Sequence, residues 1–274
     1  MTFERSPIVS LDGRLVPAGE ARISPLGEGF LFGAGVFETI KVIGGRPAFF
    51  AAHAARLRRS AAELGLPLSD TDAGLRSRSM ALIGANGLAD GSLKIVVFED
   101  AGRTGELLTV GRGGYPPEAF ACGFKLRTVA DGRRMGSVSG LKSLNYLRNL
   151  SAKREAQAIG FDEPLFVDEG GFALEGATTN LFCVKAGEVA TPRLALGILP
   201  GIVRGVLLGP DPRIREGAVT LESLLTADEI FVTNSLLGVM PVCQVDSHRL
   251  DIGRAPVTRA IAGELRSREL QSLE

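Results

Sequence analysis

The sequence predicts an α+β fold in two domains, and three observations carry that prediction. Strand-like and helix-like patterns occur in both halves of the 274-residue chain without regular strand–helix–strand alternation. The 35 glycines, well above the usual ~7% share, are scattered among apolar runs, as tight turns between short elements require. Residues 111–123 are the most broken by Gly and Pro of any stretch. The length suffices for one large domain or two. The punctuated stretch supplies the division: a smaller N-terminal α/β domain over 1–112, a linker over 113–122 and a larger β-rich domain over 123–274.

Asp12-Gly13 is a hairpin signal within residues 8–16. Residues 36–42 alternate apolar and polar side chains before Gly44-Gly45, the pattern of a half-buried strand. Over 50–64 the period changes: Ala54, Leu57, Ala61 and Leu64 recur at three and four residues with Arg56, Arg58, Arg59 and Glu63 between them, an amphipathic helix stopped by Gly65 and Pro67. A second helical pattern covers 73–83, and 93–98 is an apolar strand. Beyond the linker, strands are expected at 124–129, 164–167, 172–174, 181–184 and 229–233, with hairpin turns at Glu169-Gly170-Gly171 and Ala186-Gly187-Glu188. Helices are expected at 144–159, 201–208 and 254–266.

Composition excludes several functions. Lys and Arg number 31 against 31 Asp and Glu, with a pI near 6.8, so the electrostatic footprint of a nucleic-acid or membrane-surface binder is missing. Cys122, Cys183 and Cys243 are far apart and form no C-x-x-C pair, which argues against disulfides and zinc and for a reducing, cytoplasmic setting. The first ten residues include Glu4, Arg5 and Pro7 and lack the apolar core of a secretory signal. No run reaches the ~18 apolar residues of a membrane-spanning helix. With only His53 and His248, neither a His-built metal site nor a His-driven triad is expected.

Candidate chemistry lies in five places. Lys142 sits where a loop containing Gly136 and Gly140 meets the next helix; apolar neighbours there would lower its pKa and release a neutral amine, or its stem simply packs while its head reaches water. Glu175 ends a strand before a turn of small residues, as a partner for a pyridinium nitrogen or as a solvated carboxylate. Gly197–Arg204 is a turn feeding a helix whose first N–H groups favour phosphate, or an ordinary Gly-Pro turn. Arg56 could bind the same phosphate or belong to a solvated face. The loop Thr233-Asn234-Ser235-Leu236 leaves an apolar strand, placed for a ligand or for turn formation.

The order of these pieces resembles one family, the fold type IV pyridoxal-phosphate enzymes. This group includes branched-chain and D-amino-acid aminotransferases and 4-amino-4-deoxychorismate lyases. The matching residues are Phe32-Gly33-Ala34-Gly35-Val36-Phe37-Glu38, His53 with Arg56-Leu57, Lys142-Ser143-Leu144-Asn145, Glu175-Gly176 with Asn180-Leu181-Phe182, Leu199-Pro200-Gly201-Ile202 with Arg204, and Asn234-Ser235 with Met240-Pro241-Val242. The resemblance implies a two-domain enzyme with its active site between the domains and pyridoxal 5'-phosphate as cofactor. It makes Lys142, on the larger domain, the Schiff-base lysine and proton shuttle, and Glu175 the partner of the ring nitrogen. Arg56, the amides of Ile202 and Val203, and Ser235 would hold the phosphate, Tyr146 would reach the ring hydroxyl, and Asn180 belongs to the same cofactor-binding set. A homodimer acting on a small amino substrate is implied as well.

Within that family, Asn234 with a bulky residue, Met240, before Pro241-Val242 looks like the lyase version, where aminotransferases more often place small Gly, Ser, Thr or Ala residues followed by Glu-Ile-Thr-Pro-Val. D-amino-acid aminotransferases carry an Arg-x-His pair in the loop matching 99–105; here Arg103 is present and the His is not, while Glu99 and Asp100 stand where some lyases have Arg-Gly. Arg103, Asn234 and Leu236 are therefore the expected substrate contacts. The expected reaction is elimination of pyruvate from 4-amino-4-deoxychorismate to give 4-aminobenzoate. Transamination of branched-chain or D-amino acids is the alternative.

Overall fold

The alternation at 36–42 becomes a nine-residue strand because its apolar phase has helices to face. In a computed structural model, which describes residues 4–5, 7–68, 70–131, 140–209 and 211–273, the N-terminal strands are β1 (Glu4–Arg5), β2 (Ile8–Leu11), β3 (Arg14–Pro17), β4 (Gly35–Ile43), β5 (Arg46–Pro47), β6 (Gly91–Glu99) and β7 (Thr104–Arg112). They form one sheet in the order β3-β2-β7-β6-β4-β5, with β1 also on β7. Its pairings are antiparallel. After the short helix α1 (Glu28–Phe32), helices α2 (Phe50–Glu63) and α3 (Asp72–Ala85) cover one face. Phe50, Ala54, Leu57, Leu75 and Leu82 pack there with Val36, Ile40, Leu93, Ile95 and Val97.

The C-terminal elements are α4 (Pro117–Cys122), β8 (Phe124–Ala130), α5 (Leu147–Ala158), β9 (Glu163–Val167), β10 (Ala173–Gly176), β11 (Asn180–Lys185), β12 (Glu188–Pro192), α6 (Ile202–Leu208), β13 (Ile214–Gly217), α7 (Leu221–Leu225), β14 (Glu229–Asn234), β15 (Gly238–Val245), β16 (His248–Arg249) and α8 (Pro256–Gln271). Strands run β10-β9-β8-β15-β14-β11, and β11 pairs back onto β10, so six strands close into a ring; β12 and β13 extend it beyond β11. Closure leaves no free edge within the ring. Phe124, Leu126, Leu165, Leu181, Val232 and Met240 belong to its core.

The chain divides into two compact units, and their membership departs from the expected domains. One holds Met1–Gly114, Leu141–Asn145 and Arg268–Glu274; the other holds Tyr115–Gly140 and Tyr146–Ser267. Lys142 therefore belongs to the first unit, because its segment pairs with β4: Val36 and Ser143 form a β-bridge, and Phe37 donates its N–H to the Lys142 carbonyl at 2.9 Å. The chain's last residues join the same unit through Lys41 with Glu269 at 2.9 Å and the Phe49 N–H on Ser272 Oγ at 3.0 Å. Much of the expected linker is helix α4, with Pro117 in its first turn and Gly123 at its end. Those residues punctuate a short helix as readily as a loop. Gly136 and Ser139 of the expected lysine loop lie outside the described residues, and the helix expected from 144 starts at Leu147.

Candidate active site

Strand β4 turns Val36, Ile40 and Val42 toward the core, and in the same phase stands Glu38, 1% exposed. A carboxylate in that position must be paired. Helix α2 supplies the partners from its inward stripe: Arg56 donates from Nε to Glu38 Oε1 and from Nη2 to Oε2, both at 2.7 Å, and His53 Nδ1 lies 2.7 Å from Oε2. Burial pushes the Glu38 carboxyl up, but its hydrogen bonds and charge pairing with Arg56 and His53 outweigh that and bring it to about 2. Burial pushes His53 down, against the pull of Glu38, and the charges of Arg56 and Lys142 push the same way as burial. An ionised carboxylate only accepts, so the neutral imidazole carries its proton on Nδ1 and donates it to Glu38.

The Phe32–Glu38 motif has a packing reason. Leu144 donates its N–H to the Gly35 carbonyl at 2.9 Å, and Asn145 Nδ2 reaches the Gly33 carbonyl at 3.2 Å. A Cβ on Gly35 would stand 2.7 Å from Leu144 Cδ1 and 2.6 Å from the Val97 carbonyl. The glycine is thus required for the lysine segment to dock. The Lys142 ammonium lies 4.4 Å from the centre of the Phe37 ring, and Lys94 lies 5.1 Å from the same ring.

In the second unit Glu175 is 6% exposed and Asn180 is 4% exposed, paired in register across β10 and β11. Together they clamp the backbone of one residue on both sides: Glu175 Oε2 accepts the Leu199 N–H at 3.0 Å, and Asn180 Nδ2 donates to the Leu199 carbonyl at 3.0 Å. Two residues on, Gly201 caps α6 without a side-chain hydrogen bond, so Ile202 and Val203 present their amides in the first turn. A Cβ on Gly201 would fall 1.9 Å from Asn180 Oδ1.

The turn after Glu175 is held from several sides. Glu163, fully buried, accepts the Thr178 N–H at 2.6 Å and its hydroxyl at 2.8 Å, and pairs with Lys153 at 2.7 Å. Tyr146, expected to reach the ring hydroxyl, donates its OH to the Ala177 carbonyl at 2.6 Å. Asn234 donates to the Thr178 carbonyl at 3.2 Å and accepts the N–H groups of Leu236 and Leu237 at 2.9 and 2.8 Å. Ser235 and Leu236 are half-buried in that loop. Arg204 is structural, bonding the Pro192 carbonyl at 2.7 Å and pairing with Glu216.

Two expected site residues are engaged by other groups of the chain. Asn180 donates from its amide nitrogen to the Leu199 carbonyl. Arg103 has its outer nitrogens on Asp12, at 2.6 Å, and on Asp100, with about half its side chain exposed. Asp100 also accepts the Ser24 N–H at 2.8 Å and Glu99 accepts those of Glu28 and Gly102, so the two acidic residues fasten neighbouring loops. Glu38, Lys94 and the Glu163–Lys153 pair were not among the expected site residues. A charged residue in the apolar phase of an alternating strand was the available signal for Glu38. Among the described residues no cluster of His, Cys, Asp or Glu is placed to hold a metal ion, and no helix is long and apolar enough to cross a membrane.

A two-unit α+β chain with a paired buried Arg, a lysine docked against a glycine-rich strand and a carboxylate clamped beside an uncapped helix start defines a class of enzyme. The amino-transferase class IV family matches residues 35–245, and the chain belongs to that family of pyridoxal-phosphate-dependent enzymes. It is 32% identical over 87% of its length, and 88% of the relative's, to a Methanocaldococcus jannaschii protein assigned as a branched-chain-amino-acid aminotransferase. It is 30% identical to the D-alanine aminotransferase of Bacillus licheniformis, covering 94% of this chain and 96% of the relative. It is also 30% identical to the aminodeoxychorismate lyase of Bacillus subtilis, covering 87% of each. A branched-chain aminotransferase structure from Thermoproteus uzoniensis superposes with a TM-score of 0.88 at 28% identity, covering 98% of this chain and 96% of that one. The residues present fit the cofactor: an amine at Lys142, a buried carboxylate at Glu175, and at Gly201 a helix start whose cradle a Cβ would fill.

Proposed function

We propose that this enzyme is a 4-amino-4-deoxychorismate lyase, releasing pyruvate and leaving 4-aminobenzoate, a reaction of folate biosynthesis. The observation that carries the reading is Asn234. Its amide is used on both faces, toward Thr178 and toward the Leu236 and Leu237 N–H groups, which fixes the loop at the position where an Asn, with bulky Met240 ahead of Pro241-Val242, resembles the lyases of this family. The Arg103 fork is occupied by Asp12 and Asp100, which disfavours a D-amino-acid carboxylate grip at that loop.

Pyridoxal 5'-phosphate supplies an aldehyde for the substrate amine and a ring that accepts electrons. Arg56, Ser235 and the Ile202 and Val203 amides hold its phosphate. Glu175 would keep the proton on the ring nitrogen, with the Leu199 N–H fixing the carboxylate's direction, and Tyr146 would serve the ring hydroxyl. Lys142 Nζ takes the proton from the amine-bearing carbon of the substrate. The electron pair left by that proton forms the ring's third double bond as the neighbouring ring C–O bond breaks. Enolpyruvate leaves with the electrons of that bond and takes up a proton, from Lys142 or water, to become pyruvate, and aromatisation of the carbocycle drives the loss. Asn234 and Leu236 contact the substrate ring. The enzyme works as a cytoplasmic homodimer; Leu26, Phe30, Leu31 and Phe32, 52–78% exposed within one short stretch, support a second copy covering them.

The second reading is a branched-chain aminotransferase, favoured by the Methanocaldococcus relative and the Thermoproteus structure. Cofactor-loaded protein given 4-amino-4-deoxychorismate without any amino acceptor separates the two. Repeated turnover to 4-aminobenzoate and pyruvate supports the lyase. No product, together with glutamate formation from L-leucine and 2-oxoglutarate, replaces it with the aminotransferase.

A further inference from the structure

We infer that Glu38 is a positioning residue for the cofactor phosphate, acting through Arg56, with His53 holding the carboxylate in place. The inference rests on the proposal that Arg56 is a phosphate ligand. Arginine offers five N–H groups in a rigid planar fork. Glu38 takes the Nε–H and one Nη2–H in a two-point pairing at 2.7 Å each, which fixes both the plane of the guanidinium and its rotation within that plane. The edge bearing Nη1 is thereby aimed in one direction. His53 adds a third bond, on Oε2, so neither carboxylate oxygen can swing away.

All three side chains lie on the covered face of the sheet, Glu38 and His53 at 1% exposure and Arg56 at 5%. Water therefore offers the guanidinium little alternative partnership. Glu38 also opposes a phosphate electrostatically, so its presence is worthwhile only if orientation outweighs repulsion. A ligand that differs only in the phosphate decides this.

The test measures dissociation constants of pyridoxal 5'-phosphate and of pyridoxal, which lacks the phosphate, on cofactor-stripped protein. It compares wild type, Glu38→Gln, Arg56→Met and the double variant, each checked for folding by thermal melting. Glu38→Gln is expected to weaken pyridoxal phosphate by about tenfold and pyridoxal by less than about twofold, since a charge-assisted pairing is lost only from the phosphate's ligand. The double variant is expected to bind no more weakly than Arg56→Met alone. His53→Asn, whose amide N–H replaces Nδ1–H, is expected to keep near-wild-type affinity, and His53→Leu is not. Equal loss of both ligands in Glu38→Gln, or tighter pyridoxal phosphate, overturns the positioning role while leaving Arg56 in place. An unchanged ligand ratio in Arg56→Met removes Arg56 from the phosphate and overturns both claims. Should Glu38→Gln not fold, Glu38→Asp keeps the charge but withdraws the carboxylate by one methylene and is expected to penalise only the phosphorylated ligand.

Discussion

The two units hold their functional groups by different means. In the first, Glu38, His53 and Arg56 are fixed by side chains bonded to side chains, three contacts of 2.7 Å in a covered layer. In the second, Glu175 and Asn180 are fixed on backbone groups, the N–H and the carbonyl of Leu199. Side-chain charge pairing makes residue identity decisive, because removing one partner strands the other without solvation. Backbone clamping makes shape decisive: the position most sensitive to change is Gly201, which offers no chemistry of its own.

The largest effect expected from this contrast is at Lys142, whose segment is docked by backbone bonds that survive loss of the side chain. Lys142→Ala is expected to lower turnover by about three orders of magnitude, the scale of a lost proton-transfer group, while thermal melting stays near wild type. A fall in melting temperature as large as that of Glu38→Gln would mean that the lysine is structural. Next comes Glu175→Gln. A Gln carbonyl still accepts the Leu199 N–H, so the clamp persists while the charge opposite the ring is lost. Turnover is expected to fall about a hundredfold with little change in melting; unaltered kcat would dissociate Glu175 from the ring nitrogen.

Gly201→Ala tests shape directly. The new methyl would meet Asn180 Oδ1, 1.9 Å away, so either the amide releases Leu199 or α6 shifts. Affinity for pyridoxal 5'-phosphate is expected to fall about tenfold by loss of the aligned amides, and Asn180→Ala in the same chain is expected to recover part of it. No recovery would show that the clash is not the cause. A smaller, pH-dependent effect belongs to the first unit. The carboxyl of Glu38 is lowered from 4.5 to about 2, so its contribution to stability is complete above 4.5 and is lost as pH falls toward 2. The difference in urea midpoint between wild type and Glu38→Gln is therefore expected to shrink over that interval. A difference that stays constant would assign the stabilisation to packing.

How much of this was legible in the sequence follows the same contrast. The strand at β4 and the helix at α2 announced themselves by period, since each buries one face against a single partner layer. The residues bearing chemistry were legible as motifs. The return of Leu141–Asn145 to β4 was not, because that pairing joins stretches about a hundred residues apart and leaves only the glycines of Phe32–Val36 as its trace. Nor was the clamp on Leu199, a backbone partner that no side-chain pattern encodes. β15, where no strand was expected, forms because β14 pairs with it from Phe231 to Asn234 and β8 flanks its other edge. Glu38 was visible in principle: an acid at a core position of an alternating strand, opposite a helix carrying His and Arg at i and i+3, is a buried pair waiting to be read.

The smallest effect expected is at Arg103, which sequence reasoning placed on the substrate. A guanidinium about half exposed and bound to Asp12 and Asp100 would have to give up two carboxylates in order to take a third. Asp100 is itself only 3% exposed, so leaving it without its partner is costly. Arg103→Ala is therefore expected to change KM for 4-amino-4-deoxychorismate by less than about twofold, whereas removal of a two-point carboxylate ligand raises KM by about tenfold or more. A rise of that size would mean that the loop exchanges Asp100 for substrate on binding. Asp100→Asn would then raise affinity, because it weakens the competing pair while its side-chain oxygen still accepts the Ser24 N–H.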